Sequence, residues 1–121
     1  MQRAPVTPSL FVSDLKAALR FYADVLGFEQ TGAYEEDGET FWAEVARGDA
    51  RICFFANALD GLPQPTFSGL IYVFVEDVDD LAANLKGRVS IEWGPETQPY
   101  GLRELGIKDL NGYYLVFAKD V

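Results

Sequence analysis

The chain is 121 residues long, 49% hydrophobic and 24% charged, with a net charge of −9; that length suits one domain able to bury about two thirds of its unfolded surface. The acidic balance repels nucleic acid phosphates and anionic membrane, so neither is expected as a partner. The absence of histidine removes Ser-His, Cys-His and His-metal chemistry, and the single cysteine, Cys53, excludes an intramolecular disulfide framework and a structural zinc cluster.

The opening MQRAPVTPSL lacks the apolar stretch of a secretory signal, and no window approaches the roughly 20 apolar residues of a bilayer span. The expected address is the cytoplasm. After the strand-like PSLFV, Ser13-Asp14 signals a helix N-cap, and Leu15, Ala18, Leu19, Tyr22, Val25 and Leu26 recur at helical spacing until Gly27. Three strand-like runs follow, FEQTGAYE, TFWAEVAR and ARICFFAN, punctuated by Gly38 and Gly48-Asp49 as hairpin turns. The Pro- and Gly-bearing ALDGLPQPTFSG reads as a linker. LIYVFV then runs into Glu76-Asp77, and Val78, Leu81, Ala82 and Leu85 recur until Gly87. RVSIEW, GLRELGIK and YYLVFA complete the chain, the last two joined about Asn111-Gly112.

The second half repeats the first. Phe11 matches Phe74, Val12 matches Val75, Asp14 matches Asp77 and Leu15 matches Val78, each 63 residues apart. The expected class is α+β: two βαβββ modules forming a curved, partly open mixed sheet around a cup, with helices on the outer face. As one domain over 1–121, the chain divides into a first module at 4–57, a linker at 58–68 and a second module at 69–121.

With SDLKAALRFYADVLGF near its start and RELGIKDLNGYYLVF at its end, the sequence resembles the vicinal oxygen chelate superfamily, which includes glyoxalase I, extradiol dioxygenases and bleomycin resistance proteins. Metal-using members carry His or Glu at four strand positions. The motifs beside them lay those positions on Thr7, Cys53, Leu70 and Val116, again in pairs 63 apart. Leu and Val offer no donor atom, and a hydroxyl with one thiol cannot satisfy Mg²⁺ or Zn²⁺. The resemblance therefore implies no metal, no cofactor, and neither glyoxalase I nor dioxygenase activity. It points to the branch of acidic dimers that bind a cationic drug unaltered, in which a proline such as Pro8 accompanies exchange of the N-terminal strand between subunits.

Side chains alternate faces along a strand. If Val116 lines the cup, so do Tyr114 and Ala118; Leu70 brings Tyr72 and Phe74, Thr7 brings Ser9 and Phe11, and Cys53 brings Arg51 and Phe55. A two-residue turn at Gly48-Asp49 pairs positions summing to 97, so Glu44 faces Cys53 and Trp42 faces Phe55. The cup thus collects Phe11, Trp42, Phe55, Tyr72, Phe74 and Tyr114, which suit a flat or cationic ligand. Trp93 and Tyr100 flank GPETQP, a loop that forms an aromatic wall in drug-binding relatives, and Tyr100 is the better placed. A two- or four-residue turn at Asn111-Gly112 puts Arg103, Leu105 and Ile107 on Val116's face and points Glu104 away; an odd loop reverses this. Glu44 is expected to pair with Arg51 or Arg103, or else to act as a general base. Cys53 reads as a small buried hydrophobe.

The expectation is a dimeric, metal-independent protein that sequesters a small organic ligand, cationic or aromatic. One alternative is a metal-independent lyase or isomerase using a cup carboxylate, Glu44, as base. Another is a non-catalytic interaction module whose cup is filled by its own side chains.

Overall fold

A computed structural model describes residues 6–56 and 64–121. The linker expected at 58–68 falls partly outside them. The chain divides into two compact units, one ending at Thr66 and the other beginning at Phe67. Each is a βαβββ module.

The first module runs β1 (Ser9–Phe11), α1 (Leu15–Asp24), β2 (Glu29–Glu36), β3 (Glu39–Arg47) and β4 (Ala50–Phe55). Its strands form a mixed four-stranded sheet in the order β1-β4-β3-β2, with β1 parallel to β4 and the rest antiparallel. The second repeats this as β5 (Leu70–Phe74), α2 (Val78–Leu85), β6 (Ser90–Thr97), β7 (Leu102–Lys108) and β8 (Tyr114–Asp120), ordered β5-β8-β7-β6. A parallel pair needs a long crossover, and in each module a helix and two strands supply it.

The 63-residue offset recurs in the hydrogen bonding. Phe11 pairs with Phe55 as Phe74 pairs with Ala118, and the next strand-end bond runs from the Val12 amide to the Phe55 carbonyl and from the Val75 amide to the Ala118 carbonyl. Both helices are capped alike. The Asp14 carboxylate accepts from the Ala17 amide and that of Asp77 from the Asp80 amide, each satisfying a first-turn donor that has no intrahelical partner.

Each helix buries its apolar stripe against its own sheet. Leu15, Ala18 and Tyr22 on α1 pack toward β2, β3 and β4, where Tyr22 meets Phe28 and Phe54 at ring distances of 5.4 and 4.7 Å. Val78, Leu81, Ala82 and Leu85 on α2 face β6, β7 and β8, over Val73, Leu105, Ile107, Leu115 and Phe117. Burying a Leu or Phe side chain stabilises by about 1.5–3 kcal/mol, so apolar burial is the main attraction holding each helix to its sheet.

The hairpins differ. Between β3 and β4 the pairing ends at Arg47 and Ala50, leaving the two-residue turn Gly48-Asp49 expected from the sequence. Between β7 and β8 it ends at Lys108 and Tyr114, leaving five residues. Asp109 organises that loop: its carboxylate accepts from the Asn111 amide at 2.8 Å and the Tyr113 amide at 2.9 Å. A two- or four-residue turn therefore does not form at Asn111-Gly112. β6 also departs from expectation, since GPET continues the strand rather than forming a loop. The ladder slips by one residue on each side of Trp93, and the second slip places Gly94 and Pro95 where Pro's missing amide costs no ladder bond. Gly94, at φ 84°, lies so close to the Glu104 carbonyl that a Cβ could not fit.

Candidate functional site

In the first module, the face of the sheet away from α1 carries the residues the alternation predicted. Glu44 pairs with Cys53 and Trp42 with Phe55, while Phe11 stacks on Phe55 with ring centroids 5.7 Å apart. Glu44 is 1% exposed. Its carboxylate accepts from the Thr31 hydroxyl at 2.8 Å and lies 4.0 Å from the Cys53 thiol. Thr31 occupies a β2 slip between Gln30 and Gly32, where the extra residue re-aims a side chain. The ion pair expected with Arg51 or Arg103 does not form. Arg51 turns to the Gly48 and Ala50 carbonyls, and a hydroxyl and a thiol meet the buried acid instead. Cys53 is buried as expected, but as a neighbour of that acid rather than as a plain hydrophobe.

In the second module, the face away from α2 carries Leu70, Tyr72 and Phe74 from β5, with Tyr114, Val116 and Ala118 from β8. Tyr72 and Phe74 stack at 6.3 Å and stay 40% and 61% exposed. Exposed stacked aromatics are surface that the core has not used. Tyr114 stacks on Trp93 at 6.4 Å, and the Lys108 ammonium lies 5.2 Å from the Tyr114 centroid, so this ring already holds a cation of its own chain. Trp93 lies flat over Gly106, where any Cβ would overlap the indole.

Loop parity corrects one expectation about β7. With five residues between the strands, Glu104 pairs with Ala118 and Gly106 with Val116, whereas Arg103 pairs with Lys119. Glu104 is therefore on the aromatic face. Arg103, expected there, lies on the α2 side, where its guanidinium donates to both Asp79 oxygens at 2.8 and 3.2 Å and to the Thr97 hydroxyl at 3.2 Å. Leu105 and Ile107 likewise belong to the core.

Glu104 is 2% exposed and was not among the expected site residues. The Tyr72 and Tyr100 hydroxyls both donate to its Oε2, at 3.0 and 2.8 Å. The Tyr100 phenol is pushed above its ordinary range, first because Glu104 holds its proton and then through loss of solvent. Tyr72 is also raised, with desolvation first and the Glu104 bond second; its ring is open, but its hydroxyl end is enclosed at the carboxylate. Tyr100 keeps 62% of its surface exposed. The module thus presents a carboxylate, two phenols aimed at it and a stacked aromatic platform.

The four positions aligned with the superfamily's metal ligands do not fit a divalent ion. Leu70 and Val116 end in hydrocarbon, and Cys53 turns its thiol toward Glu44. Among the described residues no three His, Cys, Asp or Glu side chains cluster as a metal site, and no helix is long and apolar enough to cross a membrane.

The family described as "Glyoxalase/Bleomycin resistance protein/Dioxygenase superfamily" matches residues 4–117. Among solved structures, the antibiotic binding protein TnmS3 from Streptomyces sp. CB03234 is 26% identical, with a TM-score of 0.75 over 100% of this chain and 99% of that one. TioX from Micromonospora sp. ML1 is 21% identical, with a TM-score of 0.78 over 98% and 100%. The bleomycin-binding protein of Streptomyces verticillus, solved with copper(II)-bleomycin, is 24% identical, with a TM-score of 0.64 over 97% and 96%. No curated protein matches the sequence. Taken with the twice-built βαβββ fold, a family match over nearly the whole length means that the chain belongs to the Glyoxalase/Bleomycin resistance protein/Dioxygenase superfamily.

Proposed function

We propose that this protein binds a small organic ligand, cationic or aromatic, without a metal and without altering it, and that it acts by sequestration as a cytoplasmic homodimer. The observation that carries the reading is the second module's face away from α2, where Tyr72, Phe74 and Tyr100 stay exposed beside a buried carboxylate. Such a face offers stacking area and a negative end to a flat cation, and a net charge of −9 favours its approach. The printed descriptions of two structural relatives, an antibiotic binding protein and a bleomycin-binding protein, agree in kind. The first module carries an aromatic set of its own, Phe11, Trp42 and Phe55, on the face that holds the buried acid Glu44.

The test is a titration of tryptophan fluorescence with a panel of cationic and aromatic antibiotics, copper(II)-bleomycin included, followed by mass spectrometry of the recovered ligand. Binding by protein exhaustively chelated beforehand, with the ligand returned at unchanged mass, is the expected result. A flat fluorescence and calorimetric response across the panel refutes the reading. Light scattering checks the dimer. Strand exchange is tested by a crystal structure, since β1 is a three-residue edge strand tied to β4 through the Pro8 carbonyl and Cys53 amide.

A second reading, a metal-independent lyase or isomerase, rests on Glu44 being buried without a cation among its hydrogen-bond partners. Turnover abolished by Glu44→Gln supports it, and full turnover in that variant removes Glu44 from any mechanism.

A further inference from the structure

The two oxygens of Glu104 are unequal. Oε2 receives both the Tyr72 and the Tyr100 hydroxyl, whereas no described residue donates to Oε1. No fully enclosed side-chain oxygen among the described residues lacks a hydrogen-bond partner, so Oε1 is not fully enclosed and keeps a small opening. Cations that could satisfy it are engaged elsewhere: Arg103 holds Asp79 on the opposite face, and Lys108 lies over Tyr114 with Glu92 at 3.9 Å. A carboxylate that is 2% exposed has little room to reorient, and two phenols on one oxygen fix where the other points.

We infer, resting on the binding reading above, that Glu104 Oε1 is the specificity-determining acceptor of this face, recognising an N–H-bearing cation such as a protonated amine, amidinium or guanidinium at the edge of a flat ring system stacked on Tyr72 and Phe74. An ionised acceptor held in a low-dielectric setting strengthens a hydrogen bond from a cationic donor. A ligand presenting a carbonyl or ether oxygen at the same place meets lone pair against lone pair and is rejected. Charge alone would favour any cation; the geometry selects one that carries a donor proton.

Two planar cations of similar size separate these effects: 9-aminoacridine, which carries N–H donors, and 10-methylacridinium, which has none. The protein is expected to bind 9-aminoacridine about 10- to 100-fold more tightly, the range for a hydrogen bond to a charged group. Glu104→Gln keeps a carbonyl oxygen for the tyrosine pair and replaces the acceptor Oε1 with a donor NH₂. It should bring the ratio between the probes close to one. In the same variant the raised Tyr100 phenol moves back toward its ordinary range in an ultraviolet titration, because the hydrogen bond it donates then ends on a neutral amide oxygen instead of a carboxylate. A ratio that survives Glu104→Gln, or an equal loss for both probes, overturns the inference while leaving the binding reading intact. Should the variant not fold, equal affinity of the unsubstituted protein for the two probes overturns it as well. If neither probe binds but an antibiotic of the panel does, this inference fails and the binding reading stands; if nothing binds, both fail.

Discussion

Replacing Gly94 with alanine tests how tightly β6 is fitted to the strand that carries Glu104. Two costs arise. Gly94 has φ 84°, and an L-residue in the left-handed region costs about 1–2 kcal/mol. The new methyl would also overlap the Glu104 carbonyl and crowd the Glu96 amide, both backbone groups of a paired ladder that can yield only by moving together. Forced overpacking of this kind costs about 1–3 kcal/mol. The sum is about 3 kcal/mol, a large share of the roughly 5–15 kcal/mol that holds a domain folded. Gly112→Ala is the matched control: its φ is 83°, but an added Cβ meets nothing within 4 Å, so only the first cost applies, about 1 kcal/mol. In urea, with a slope of about 1.5 kcal/mol/M, the midpoints should fall by about 2 M and about 0.7 M. Equal shifts for the two variants would show that the close approach to Glu104 is not fixed by packing and would refute the reasoning.

Asp109→Ala should destabilise by about 2 kcal/mol in the same assay, because its carboxylate is the acceptor for two loop amides, one of them buried; a loss within about 0.5 kcal/mol would mean that the loop holds without it. The Asp79 carboxyl is held below its ordinary value, first by its hydrogen bonds from Arg103. A depressed acid contributes stability that is present above its unfolded pKa and is lost as pH falls through its folded one, so this pair weakens only on acidification below about pH 4. Carboxyl NMR should find Asp79 titrating below the ordinary range and returning to it in Arg103→Leu; the exposed, screened pair makes the stability change small.

Much of the fold was legible because its signals are local. Asp14 and Asp77 marked both helix starts, the apolar spacing marked both buried stripes, and the 63-residue offset foretold which strand positions correspond. The Gly48-Asp49 turn fixed the register that seats Glu44 against Cys53. The face of β7 was missed because Asn111-Gly112 resembles a tight turn, whereas Asp109 gathers a wider loop by capturing its amides. The correction was within reach: Leu105 and Ile107 alternate with Glu104, Gly106 and Lys108, and an aliphatic pair belongs with the core. Tyr72 and Tyr100 meeting on one carboxylate could not be read, since they lie 32 and 4 residues from Glu104 and converge only through strand pairing. Gly106 carried the one clue to Trp93, a strand position left without a side chain so that an indole could lie across it.

The five-residue β7–β8 loop has a consequence for how such a chain can vary. Deleting one residue would turn β7 over, sending Leu105 and Ile107 to the aromatic face and driving Glu104 and Lys108 into the apolar core, whereas removing two would preserve every orientation. Length changes at this site should therefore be tolerated in steps of two. A point substitution in β7 alters one contact at a time, but the parity of the loop that follows it decides which half of the strand's chemistry stands on the aromatic face at all.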